Sequence, residues 1–80
     1  MEQIATFHTH LGALRFEKKL LSLGDNGATM MPVPRKLSAS CGTCVRFERP
    51  FEKAWANEDL DAVYLVEAGG YRTLYQAEEE

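Results

Sequence analysis

The sequence predicts a small α+β domain whose strands form an antiparallel sheet. Three observations indicate this class: a helical apolar pattern over Leu11–Leu23, several short apolar segments bounded by turn residues, and two closely spaced prolines in one segment. A chain of 80 residues has room for one hydrophobic core, so we expect a single domain over residues 1–80.

The first strand and the first helix are predicted from the N-terminal part of the chain. Ile4–Phe7 is a short apolar run and predicts a strand. Thr9 suits the N-cap position of the following helix, because its side-chain oxygen can accept a hydrogen bond from a free amide of the first turn. The apolar residues of Leu11–Leu23 recur near the helical period, and Gly24 is typical of the position that ends a helix.

The second strand is predicted over Ala28–Val33, at an edge of the sheet. Pro32 and Pro34 lie two residues apart, so their missing N–H groups fall on the same side of the strand. A central strand needs donors on both sides. We therefore expect this strand to pair on its other side only.

The second half of the chain predicts three more strands, a short helix and a tail. Pro50 suits the first position of that helix, and Gly69–Gly70 is a hairpin turn signal. The predicted elements are a strand over Val45–Glu48, a helix from Phe51 to about Glu58 that buries Phe51, Ala54 and Trp55, strands over Leu60–Val66 and Tyr71–Tyr75, and an acidic flexible tail over residues 77–80.

This order of elements matches the ferredoxin-like split βαβ fold, with the last strand as a C-terminal hairpin extension. In that fold the spatial order is fourth, first, third and second strand, which also places the second strand at an edge. The end of the first strand and the loop between the second and third strands then share one end of the sheet. We therefore expect His8, Thr9 and His10 to face the loop of residues 35–44.

Composition and charge argue against several classes of function. The formal net charge is −3, and no basic stretch with interleaved aromatic residues is present, so we expect no nucleic-acid partner. No apolar run approaches the roughly 20 residues of a membrane-spanning helix, so we expect no membrane partner. The N-terminus lacks the basic start and apolar stretch of a signal peptide. These features predict a cytoplasmic protein, in which cysteines are normally thiols.

Cys41 is the candidate catalytic residue. Its loop contains Arg35, Ser38 and Ser40, whose charge, hydroxyls and amides would favour a thiolate, and Gly42 permits a positive φ directly after it. A helix N-terminus that faced the loop would add a partial positive charge. The thiolate is the form that attacks a sulfur or selenium donor. The alternative is a Cys41 that only fills a turn.

Cys44 completes a Cys-x-x-C motif with Cys41, which is typical of thiol redox proteins in the cytosol. Such pairs usually lie at the start of a helix, whereas this pair runs into a strand. If Val45 and Phe47 face the core, Cys44 points to the opposite face of the sheet. We therefore expect two separate thiols, with the redox pair as an alternative.

Two histidines and two cysteines also match the ligand number of a structural zinc site. His8 and His10 flank the predicted N-cap, where their rings would splay apart, so we predict no metal site and no cofactor. Both histidines remain supporting residues of the predicted Cys41 site, together with Arg35, Ser38, Ser40, Gly42 and Cys44.

Most of residues 4–50 resembles the selenium/sulfur carrier protein-like family. The specific part of this resemblance is the stretch from Pro32-Val33-Pro34-Arg35 through Ser38 to Ser40-Cys41-Gly42, and Phe7-His8, Ala13-Leu14-Arg15, Glu17-Lys18 and Arg46-Phe47 support it.

The resemblance implies a carrier that holds a persulfide or selenosulfide on Cys41 and passes it to a partner enzyme, as an accessory protein rather than a stand-alone enzyme. Arg35, Ser38, Ser40 and Gly42 would then shape the loop. The alternative function is a non-catalytic interaction module, dimeric through its strand edges, in which the cysteines are incidental.

Overall fold

A five-stranded antiparallel sheet organises the residues that the computed structural model describes, 1–37 and 42–77. With the single α-helix that these residues form, it makes the chain an α+β protein, as predicted. The elements are β1 (Gln3–Phe7), α1 (His10–Ser22), β2 (Thr29–Pro32), β3 (Thr43–Phe47), a 3-10 turn (Lys53–Trp55), β4 (Leu60–Glu67) and β5 (Gly70–Gln76). The strand bounds differ from the predicted ones by at most two residues. Glu78–Glu80 of the predicted tail lie outside the described residues.

Helix α1 begins and ends where the sequence indicates. Thr9 is the N-cap, and its hydroxyl oxygen accepts a hydrogen bond of 3.0 Å from the amide of Gly12. Gly24 follows the helix with a φ of +93°, a left-handed conformation that glycine adopts without a steric penalty. Within the described residues, α1 is not long and apolar enough to span a membrane.

Phe16 is the centre of the hydrophobic core between α1 and the sheet. Its ring centroid lies 5.2 Å from that of Phe7 in β1 and 5.4 Å from that of Phe47 in β3. Phe51 adds a third ring, stacked at 6.4 Å. Helix α1 therefore lies on one face of the sheet, across β1, β2 and β3.

The edge position predicted for the second strand is confirmed. The strands lie in the order β2-β3-β1-β4-β5, and every neighbouring pair is antiparallel. The amide of Met30 in β2 donates to the carboxylate of Glu17 in α1 at 3.1 Å, so it points away from β3. Pro32 lies two residues further on and faces the same way, without a donor.

The helix predicted from Phe51 to about Glu58 is wrong. A 3-10 turn over Lys53–Trp55 occupies its place. Glu52 before the turn has φ −122° and ψ 135°, and Ala56 after it has φ −63° and ψ 137°, which are extended conformations. A helix of about eight residues has little intrinsic stability, so tertiary contacts decide whether it forms.

A contact from β1 contributes to this outcome. The side-chain oxygen of the buried Gln3 accepts the amide of Phe51 at 3.3 Å, and this contact holds the segment in an extended path. Phe51 and Trp55 still pack against the core as predicted, whereas Ala54 is exposed. The two-helix ferredoxin-like arrangement is therefore present only in part, since β3 and β4 are connected by a 3-10 turn and not by an α-helix.

The core predicts a stability effect for Phe16→Leu. Leucine keeps an apolar side chain but loses three aromatic contacts, each of which contributes about 0.5–1.5 kcal/mol beyond burial, so we expect a loss of about 1.5–4.5 kcal/mol. Urea unfolding measures the change. Leu21→Ala, at a helix position that is 43% exposed, is the control and should change stability by less than about 0.5 kcal/mol. Equal losses for both variants would contradict the assignment of Phe16 as the core centre.

Candidate functional site

The loop that contains Cys41 emerges at one end of the sheet. Thr6 of β1 aligns with Cys44 of β3, and Pro32 of β2 aligns with Thr43 of β3. The end of β1, the end of β2 and the start of β3 therefore lie together, as the order of elements predicts. Cys41, Ser38 and Ser40 themselves lie outside the described residues.

The base of this loop is closed by a backbone hydrogen bond. The amide of Val33 donates to the carbonyl of Gly42 at 3.1 Å. Val33 stands between Pro32 and Pro34, so it carries the one N–H group of this Pro-Val-Pro stretch, and that group points toward β3 while the prolines face the open edge. The prolines predict the edge from the sequence alone, but the role of Val33 was not predicted. Alternation along the strand is the signal that would have found it.

Gly42 enters β3 with a φ of +71°, in the left-handed region that the sequence analysis anticipated for it. A Cβ atom at this position would meet no heavy atom of the described residues within 4 Å. The requirement for glycine that the structure shows here is conformational.

Arg35 and Lys36 supply positive charge next to the loop base. They lie in a turn after Pro34, which the amide of Leu37 closes by donating to the Pro34 carbonyl at 3.0 Å. Both side chains belong to exposed residues. The chain thus carries two cations within the segment that leads to Cys41.

Cys44 lies in β3 with its side chain on the sheet face opposite α1. Val45 and Phe47 belong to the core beneath the helix, and Cys44 alternates with them as predicted. It is 0% exposed, and its thiol donates to the Pro32 carbonyl at a sulfur–oxygen distance of 3.7 Å. A partner protein has no access to this sulfur in the folded chain. That Cys41 and Cys44 are separate thiols stays a prediction.

The start of α1 lies against the segment before β4. Asn57 donates its side-chain amide to the Gly12 carbonyl at 3.2 Å, and Asp59 packs so closely on Gly12 that a Cβ at that position would clash. His8 donates its backbone amide to the Asp59 carbonyl at 2.7 Å. The helix N-terminus therefore has a carboxylate beside it, which offsets the positive end of the helix dipole.

The two histidines are placed separately at this end. The Nε2 atom of His8 lies 3.9 Å from a carboxylate oxygen of Asp61, and His10 is the exposed first residue of α1. Within residues 1–37 and 42–77, no three or more histidine, cysteine or acidic side chains form a group that could hold a metal ion. The structure connects neither histidine to the described part of the loop.

Comparison with known proteins shows the family of this chain. The model of the family described as Putative Se/S carrier protein-like matches residues 2–59, which include β1, α1, β2, β3 and the loop. The strands β4 and β5 lie beyond the matched residues. No curated protein and no solved structure matches the chain.

The loop base predicts a backbone effect for Gly42→Ala. An L-residue with a φ of +71° costs roughly 1–2 kcal/mol, so we expect a loss of that size in urea unfolding. Gly42→Asn should lose less, because asparagine tolerates the left-handed region better. Gly70→Ala is the matched control, since its added Cβ also meets no atom within 4 Å and its φ lies outside the left-handed range. A Gly42→Ala variant as stable as Gly70→Ala would contradict the conclusion that the backbone at position 42 requires glycine.

Proposed function

The chain belongs to the Se/S carrier protein-like family, and we propose that it holds a sulfur or selenium atom on Cys41 and passes that atom to a partner enzyme. The observation that carries this proposal is the family match, which spans the whole loop segment from Pro32 to Gly42. In this role the chain is an accessory protein that works with a donor enzyme and an acceptor enzyme.

The burial of Cys44 supports Cys41 as the carrier residue. A carrier must meet the reactive sulfur of another protein, and the fully buried Cys44, directed at the Pro32 carbonyl, is not placed for such an encounter. The hydrogen bond between Val33 and Gly42 fixes the point where the cysteine-containing loop leaves the sheet. The prolines on the open edge of β2 keep a foreign strand from pairing beside this loop.

The proposed transfer consists of two thiol exchange steps. In the first, the Cys41 thiolate attacks the outer sulfur of a persulfide on the donor; a sulfur–sulfur bond forms on Cys41 and the donor's sulfur–sulfur bond breaks, which leaves a donor thiolate. In the second, an acceptor thiolate attacks the outer sulfur of the Cys41 persulfide, and the Cys41 thiolate leaves. A selenosulfide follows the same steps with selenium as the outer atom. Each step conserves charge and oxidation state overall, so neither requires an additional oxidant or reductant.

The reaction requires a thiolate, and Arg35 is the better candidate to favour it. One pKa unit corresponds to about 1.4 kcal/mol, whereas an exposed helix terminus contributes roughly 0.3–1 kcal/mol. Asp59 beside the start of α1 reduces that contribution further. The charges of Arg35 and Lys36 lie in the loop segment itself, within a few residues of Cys41.

The reactivity of Cys41 tests this proposal against an interaction module with incidental cysteines. On a Cys44→Ser background, the rate of iodoacetamide alkylation against pH reports the pKa of Cys41. We expect a pKa below the free-cysteine value of about 8.5, and a rise of about half a unit at low salt on Arg35→Ala.

Arg15→Ala is the matched control for this experiment. Arg15 is also exposed, but it lies on α1 beside Glu58, and its removal should leave the alkylation profile unchanged. A pKa at or above the free-cysteine value, insensitive to Arg35→Ala, would remove the physical basis for a carrier and favour the interaction module.

A further inference from the structure

The two edges of the sheet differ in how they are protected. The open side of β2 is closed by two devices, the carboxylate of Glu17 on the Met30 amide and the missing donor of Pro32. β5 forms the opposite edge and pairs with β4 alone among the described strands. It has seven residues and contains no proline.

The backbone groups on the open side of β5 follow from the strand register. The amide of Val66 in β4 donates to the Glu2 carbonyl, so Val66 and Tyr64, two residues before it, point toward β1. Thr73 lies opposite Tyr64, and Tyr71 lies opposite Val66. The N–H and C=O groups of Tyr71 and Thr73 therefore point away from β4, toward the open edge.

Apolar surface accompanies these backbone groups. Leu74, the extra residue at the irregularity in the pairing of β4 with β5, is 46% exposed. With Lys53, Tyr75 and Gln76 it lines a shallow depression next to the edge. An edge strand of this length, with open backbone groups and an exposed leucine, is a template for pairing with another strand.

We infer that two copies of this chain pair through their β5 edges, antiparallel and about a twofold axis near Arg72. The outward backbone groups of Tyr71 in each copy then lie opposite those of Thr73 in the other, and each Arg72 stays paired with its own Glu67. A strand edge placed antiparallel to its own copy is self-complementary, because each copy offers the same donors and acceptors in opposite directions. The two five-stranded sheets become one continuous sheet, and each Leu74 moves out of water against the other copy. This inference does not depend on the chemistry at Cys41.

The position of β5 makes such a pairing compatible with a loop that serves a partner protein. β5 lies at one edge of the sheet, and the loop between β2 and β3 leaves the sheet at the other edge. The dimer therefore presents its two loops at opposite ends of the joined sheet. The residues that the family model matches end before β4, so the dimer edge belongs to the part of the chain outside that match.

The oligomeric state of three forms of the full chain tests this inference. Thr73→Pro removes the outward N–H group and leaves the pairing with β4 intact, since proline is tolerated on an edge strand. Thr73→Ala is the matched control, because it alters the same side chain but keeps the donor. Sedimentation equilibrium across the micromolar range should give twice the 9.0 kDa chain mass for the wild type and Thr73→Ala. For Thr73→Pro it should give the monomer, with a dimer dissociation constant about tenfold or more higher than that of the wild type.

Circular dichroism melting curves establish that each variant is folded. If Thr73→Pro does not fold, Leu74→Lys replaces it, because a charge on this exposed side chain disfavours the dimer and leaves the backbone unchanged. A wild-type chain that stays monomeric throughout the concentration range would overturn the inference, and so would a folded Thr73→Pro or Leu74→Lys variant that dimerises as tightly as the wild type.

Discussion

Phe16 packs against Phe7 of β1 and Phe47 of β3, and this contact holds α1 across the first three strands. The next residue, Glu17, reaches the Met30 amide on the outer side of β2, so the placement of the helix also determines how that edge is closed. Ala13 and Leu20 of α1 belong to the same buried core, and Phe16 adds its aromatic contacts to theirs. The carboxylate of Glu17 at the edge depends on this placement of the helix.

The Pro-Val-Pro stretch at the end of β2 has two effects on the Cys41 loop. Its prolines leave the outer side of the edge without donors, and Val33 directs its amide inward to the Gly42 carbonyl. One short sequence thus excludes a neighbouring strand and closes the base of the loop. These two effects give a physical reason why the family resemblance is most specific in this segment. They also distinguish the β2 edge, where the prolines block strand pairing, from the open edge at β5.

Much of the fold could be predicted from the sequence because its signals are local. Thr9, Gly24 and Pro32 each act through their own backbone or the adjacent turn, and each stands where the sequence placed it. The prediction of the second helix was wrong, and one reason lies far away in the sequence. The side-chain oxygen of Gln3 accepts a hydrogen bond from the Phe51 amide. The burial of Cys44 on the face without a helix also depends on neighbouring strands. The position of the helix start against Asp59 is another distant contact that periodicity does not report.

The carrier role requires that Cys41 holds a sulfur or selenium atom in the cell. Intact-mass spectrometry of protein isolated anaerobically from its native host tests it most directly, with Cys41→Ser and Cys44→Ser variants isolated in the same way. We expect the wild type and Cys44→Ser to carry one additional sulfur or selenium atom that a thiol reductant removes, and Cys41→Ser to carry none. The same additional atom on Cys41→Ser, or its absence from the wild type, would contradict the account.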